Sequence, residues 1–206
     1  TYTDDFESAN IGWLAVSADT KTNWELGTPN FGATNSANSG TSAWDINLTS
    51  GYDTSAHAEL YSPFFDCLNV INPRLSFWQN RNVEANNDGF RLELSADGGM
   101  TWSVLGSVND TNAINWYTRI LNSTGLPAWD SSSGGWQQSS YINLSFINGN
   151  VLPVVFRFVF TSNATVNYDG VSIDDFSFYR CIIAQTVVSN YVTCSAVCDG
   201  ALSINI

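Results

Sequence analysis

Apolar residues alternate with polar ones, or run in short blocks, along most of the chain, and that period fits strands better than helices. The pattern is clearest in "LSFWQNRNVE" (75–84), "GFRLELSA" (89–96), "TWSVLGSV" (101–108), "WQQSSYINL" (136–144), "VLPVVFRFVF" (151–160) and "VSIDDFSFYR" (171–180). Clusters of Gly, Asn, Ser and Asp separate these blocks and read as turns. No long stretch places apolar residues at helical spacing. The chain is therefore expected to be all-β, an antiparallel β-sandwich of the jelly-roll kind.

The last block contains an anomaly. Val171, Ile173, Phe176 and Phe178 mark a strand with a core on one side, yet Asp174 and Asp175 sit between them. Neighbouring strand residues point to opposite faces. One of the two is then expected to point as a core residue would, where a carboxylate is costly without charge or hydrogen bonds.

"SADGGMTW" (95–102) matches an Asp-box hairpin, Ser-x-Asp-x-Gly-x-Thr-Trp. Asp97 is placed to accept turn amides, Gly98 and Gly99 tolerate positive φ, and Trp102 is expected to pack beneath the turn. The motif marks a hairpin, and ligand contact by Asp97 or Trp102 is the weaker reading.

After Arg180 the texture changes. "CIIAQTVVSNYVTCSAVCDGALSINI" has Tyr191 as its one aromatic residue and reads as a linker followed by one or two strands. Residues 1–180 are expected to form the main domain, and 181–206 the linker and the beginning of a following β repeat. The chain stops inside an apparent strand and is expected to continue. Its start, "TYTDDFES", reads as that of a mature or trimmed product.

Composition narrows the partners. The 206 residues are 44% hydrophobic but only 13% charged, with Lys21 the single lysine and a net charge of −12. A core of useful size is available. The anionic field repels nucleic acid and acidic membranes and attracts cations. No apolar run approaches the ~20 residues a membrane span needs, so no membrane insertion is expected. Cys67, Cys181, Cys194 and Cys198 lack the histidines of a zinc template and suit disulfides in an oxidising compartment. Cys194 and Cys198 are close enough to pair locally, which leaves Cys67 with Cys181, although four cysteines allow three connectivities.

The ends of the main domain match each other. The early "DDFESANIGW" and the late "YDGVSIDDFSF", with "SGTSAW", "LYSPFFD" and "GGWQQSSYINLS" between them, resemble MAM-like domains and several carbohydrate-binding module families. The resemblance covers roughly residues 4–180. Together with "NWELGTPN" and "VTCSAVCDGALSI", it resembles the MAM-like segments of large secreted proteins of gliding Bacteroidetes. It implies a gliding-motility type of cell-surface adhesin exported by type IX secretion. It also implies a structural calcium between an early "FE" strand and a late "IDD" strand. The matching residues are Glu7, Asp174 and Asp175, with Asp45 and Asp5 as further candidates and carbonyls near Ser39 to Thr41 as neutral ligands. Calcium takes six to eight oxygens, so such a set is chemically apt. The plainer alternative is that Asp174 or Asp175 caps a loop or meets Arg180 or Arg157.

The chain carries eight tryptophans. Trp116, Tyr117 and Trp129, in the loop-like "NWYTRILNSTGLPAWD", are the expected exposed platform for a sugar ring, with Asn115, Arg119 and Asp130 beside it for the hydroxyls. The competing view of any single ring there is that it packs under a long loop. Catalysis has little support: His57 is the only histidine, no Gly-x-Ser-x-Gly elbow occurs, and the five glutamates do not cluster on one strand. The expectation is a non-catalytic, calcium-stabilised binding module, secreted or on a bacterial surface, that recognises polysaccharide or a cell-surface glycan. The alternatives are a structural or protein-interaction domain working with other domains of the same large protein, and a glycosidase.

Overall fold

Two long strands organise the computed structural model, which describes residues 1–8, 10, 12–18, 20–180 and 182–184. Gly170–Tyr179 runs through one seven-stranded sheet and Asn150–Thr161 through the other. In the first sheet, Gly170–Tyr179 pairs with Arg74–Asn82 on one edge and with Ala43–Ile46 and Tyr2–Asp4 on the other. Gln137–Tyr141 lies beyond Arg74–Asn82, and Trp24–Gly27 beyond Ala43–Ile46. In the second sheet, Asn150–Thr161 pairs with Gly89–Ser95 on one edge and with Phe65–Cys67 and His57–Tyr61 on the other. All pairings are antiparallel. The expected antiparallel sandwich is the observed fold.

Alternation explains the core. Val154, Phe156, Phe158 and Phe160 of one sheet are fully buried and meet Phe77, Phe176 and Phe178 of the other. Ring centroids stand 4.9 Å apart for both Phe77–Phe158 and Phe156–Phe178, in T-shaped geometry. Aromatic pairs of this kind add about 0.5–1.5 kcal/mol beyond their buried area.

Asp174 and Asp175 do not follow simple alternation, and the expectation that one of them faces the core is corrected. Asp174 pairs with Trp78 and Ser177 with Ser76, so three steps on one strand match two on the other. This is a β-bulge. Asp175 is its extra residue, at φ 48°. The bulge returns Phe176 to the core and leaves both carboxylates on the outer side. At the same point the strand's outer edge passes from Ala43–Ile46 to Tyr2–Asp4. Glu7 also departs from expectation: it lies past the first strand, behind Phe6 at φ 58°.

The sandwich runs slightly beyond the expected limit of 180. Ile182–Ile183 pairs with Phe65–Cys67, and the Ala184 N–H donates to the Phe64 carbonyl at 2.8 Å. Cys67 is disulfide-bonded. Cys181, Cys194, Cys198 and the expected second repeat lie outside the described residues.

Candidate functional site

The loop of residues 31–42 crosses the outer face of the first sheet and is held by carboxylates. Asp174 Oδ2 accepts the N–H groups of Asn38 and Ser39 at 2.8 and 3.1 Å. Asp175 accepts the Asn38 side-chain amide at 2.7 Å and the Ser39 hydroxyl at 2.9 Å. Glu7 Oε1 accepts the N–H groups of Thr41 and Ser42 at 2.8 and 2.6 Å. Gly40 is at φ 57°, and a Cβ there would collide with the Glu7 carboxyl. Residues 38–42 thus turn N–H groups toward these carboxylates, where carbonyls had been expected. The loop-capping alternative for Asp174 and Asp175 is realised; neither meets Arg157 or Arg180 in a described ion pair.

The other metal candidates are spread out. Asp5 accepts the Glu7 N–H at 3.2 Å. With Asp4 and Asp175 it lines a polar recess of about 180 Å³. Asp45 is buried and lies opposite Ser172, away from that recess. Among the described residues no three acidic, His or Cys side chains converge as a cation cage. Calcium at the joint would rest on one or two carboxylates with neutral oxygens and water.

Burial pushes Asp174 up to about 6, against the bonds from Ser39, Asp175 and Asn38. Burial likewise raises Asp45, Asp88 and Asp169. A carboxyl raised in the folded state binds protons before the unfolded chain does, at about pH 3.9. Its stabilising effect is present below that value and is lost as pH rises through the folded pKa. The carboxylates held low in the fold, such as Glu7 by the Ser42 and Thr41 N–H groups and Asp97 at about 2, are ionised at pH 5 and largely so in the unfolded chain too, so they add little to the difference between pH 5 and pH 7.5. In EDTA the urea midpoint is therefore expected to be higher at pH 5 than at pH 7.5. An equal or lower midpoint at pH 5 would contradict the burial of these groups as charged carboxylates.

The expected platform is not a surface. Trp116, Tyr117 and Trp129 are 8%, 4% and 1% exposed. Trp129 exchanges backbone hydrogen bonds with Phe90 and stacks on its ring at 4.7 Å. Its indole N–H donates to the Asn115 carbonyl at 3.0 Å, and Trp116 stands 4.8 Å from it. The Tyr117 hydroxyl is fixed to both backbone groups of Leu92. Asp130 accepts from Thr118, Arg119 and the Asn86 N–H, so Asp130 and Arg119 brace the loop. The Asn115 amide donates to the Gln138 carbonyl at 2.9 Å. The three rings and Asp130 are buried in the closed sandwich and do not form the expected exposed platform, while Asn115 and Arg119 remain exposed beside them.

An accessible aromatic site lies on the outer face of the second sheet. Leu14, Tyr61, Phe64, Trp102 and Val155 line a cleft of about 330 Å³. Leu14 and Phe64 are 60% and 47% exposed. Trp102 meets Tyr61 edge-on at 5.5 Å. The Arg157 guanidinium lies 4.2 Å from the Trp102 ring and 5.8 Å from that of Tyr61. Arg157 is held in turn by Glu93 at 2.6 Å and Glu59 at 3.2 Å. Burial pushes Glu59 up, but bonds from Tyr61 and His57 and the charge of Arg157 outweigh it and hold the carboxyl low. That environment keeps a base ionised and does not prepare a general acid.

The hairpin motif does form: Asp97 accepts the Met100 and Thr101 N–H groups at 3.0 and 2.9 Å. Trp102, expected to pack beneath this turn, also lines the cleft together with Gly98 and Gly99. The available signal was the outward parity of Tyr61 and Arg157, which face each other in register.

No family model matches the chain. It is 33% identical over 108 residues to Bacillopeptidase F of Bacillus subtilis (strain 168), which covers 52% of this chain and 7% of that protein. Among solved structures it is similar to the K3 cleaved adhesin domain of Lys-gingipain from Porphyromonas gingivalis W83. The identity there is 14%, with 86% of this chain and 97% of the other covered and a TM-score of 0.51. TmCBM61, solved with β-1,4-galactotriose, is 15% identical, with 82% and 88% coverage and a TM-score of 0.49. The first of these structural likenesses establishes the shared β-sandwich fold.

Proposed function

We propose that this chain is a non-catalytic, calcium-stabilised binding module of a secreted bacterial surface adhesin, and that its cleft takes the apolar face of a polysaccharide sugar ring. The carrying observation is the partly buried Trp102, fixed edge-on to Tyr61 and backed by Arg157, beside exposed Phe64. A ring held in place before binding loses little freedom when a sugar stacks on it. Glu59, Tyr61 and Arg157 put hydrogen-bonding groups at its edge for hydroxyls. The gliding-motility and type IX context belongs to the same proposal and rests on the sequence resemblance.

Calcium enters at the joint, on one or two of the carboxylates of Glu7, Asp174 and Asp175 with neutral oxygens and water. Three carboxylates meet one loop there, and no described ion pair balances them. A cation would tie Tyr2–Asp4 and the loop before Ala43–Ile46 to the Gly170–Tyr179 strand. The joint belongs to the other sheet from the cleft, so its contribution is to stability.

A protein-interaction role is favoured by a different observation. Leu68, Ile71, Phe146, Val151 and Leu152 are all exposed at one end of the sandwich. The Asn72–Asn148 hydrogen bond of 3.0 Å brings their two segments together.

The test is a pull-down on a panel of insoluble polysaccharides, run in calcium and again in EDTA. Binding is expected in both buffers, with a lower melting temperature in EDTA. Failure to bind any member in either buffer would overturn the sugar reading and leave the apolar end as the working surface.

A further inference from the structure

The outer face of the first sheet carries polar side chains in register. Glu25 lies opposite Asp45, Asp45 opposite Ser172, and Ser172 opposite Asn80. Residues 31–39 cross over this row. The Asn80 side-chain amide donates to the Ala33 carbonyl at 2.9 Å. The Ser172 hydroxyl is 2.7 Å from Asp45 Oδ1 and 3.4 Å from the Thr34 carbonyl. Asp169 Oδ2 accepts the N–H groups of Ala33 and Thr34.

One oxygen of each acid is left over. Asp45 is 0% exposed and Asp169 4% exposed, and Asp45 Oδ2 and Asp169 Oδ1 are buried without a hydrogen-bond partner. No described ion pair includes either residue. Buried carboxylate oxygens are expensive unless a donor, a proton or a metal meets them. The two acids also sense each other, since the charge of Asp169 adds to the burial that raises Asp45. Gly32 crosses directly above at φ 58°, and a Cβ there would collide with Asp169 Oδ1.

We propose that Asp45 and Asp169 together hold a divalent cation of the calcium class beneath the 31–34 turn, at a site separate from the Glu7–Asp174 joint. Two carboxylates balance its charge. The Ser172 hydroxyl and Thr34 carbonyl, already bonded into this group, are neutral oxygens of the type calcium takes, and water completes the shell. The cation ties the crossing loop to the sheet. The inference does not depend on what the cleft binds.

The test counts calcium. EDTA-stripped protein is loaded with calcium alone, freed of excess on a desalting column, and assayed for bound metal and melting temperature. Asp45→Asn and Asp169→Asn are each expected to lose one equivalent of calcium and part of the calcium-dependent rise in melting temperature. In EDTA, Asp45→Asn should melt at or above wild type, because it removes an unpaired buried acid. Asp174→Asn is expected to keep the equivalent that Asp45→Asn loses, which separates this site from the joint. Wild type that binds no calcium, or Asp45→Asn and Asp169→Asn proteins that keep the full wild-type count, would show that the pair shares a proton instead.

Discussion

Trp129→Ala is expected to lower the unfolding free energy by about 3–5 kcal/mol, the range for deleting a large buried aromatic side chain. Trp129 is 1% exposed and packs against Phe77 and Phe90 of opposite sheets, at 5.6 and 4.7 Å. Truncation would open a cavity between the sheets. It would also remove the donor to the Asn115 carbonyl, which the Ser139 hydroxyl still contacts at 2.7 Å. Urea denaturation at pH 7 reads the loss. At low temperature the folded variant should still bind whatever wild type binds, because the cleft lies elsewhere. Near-wild-type stability with lost binding would restore the exposed-platform view of this ring.

Arg157→Ala should cost about 3 kcal/mol, toward the lower end of what breaking a buried ion pair costs. The guanidinium donates to Glu93 Oε2 at 2.6 and 2.8 Å and to the Tyr61 hydroxyl at 3.2 Å. Its removal leaves Glu93, which is 5% exposed, with Arg91 at 2.6 Å as its remaining ion-pair partner. Trp102 loses the cation behind its ring. Arg157→Lys should recover only part of the stability, since a compact ammonium cannot reproduce the planar fork that spans Glu93, Tyr61 and Trp102. The same denaturation series checks both variants, and full recovery by lysine would argue against the fork.

The long strands were legible because each has a wet or covered face and an interior face, so alternation survives in the residues. Asn150–Thr161 and Gly170–Tyr179 fall within a residue of the blocks that announced them. Short strands such as Tyr2–Asp4 and Leu14–Ser17 hold too few residues to show a period. The bulge at Asp175 broke the parity argument, because a non-glycine residue at positive φ leaves no mark in the sequence. Trp116, Tyr117 and Trp129 were misplaced for a related reason: their segment lacks strand periodicity, yet its rings fill the space between the sheets. Their apolar density was the clue. The cleft was hidden because Trp102 comes from a hairpin, Tyr61 from a distant strand and Arg157 from a third. Only pairing in register brings them together.

Trp102 is the proposed binding ring. The direct measurement is the polysaccharide pull-down with wild type and Trp102→Ala side by side, quantified by affinity electrophoresis, with a thermal melt of each. Trp102→Ala is expected to weaken binding by about tenfold or more, as loss of a central aromatic anchor does, while the protein still melts as one cooperative unit. Unchanged binding by the folded variant would contradict it and move the binding surface away from this cleft.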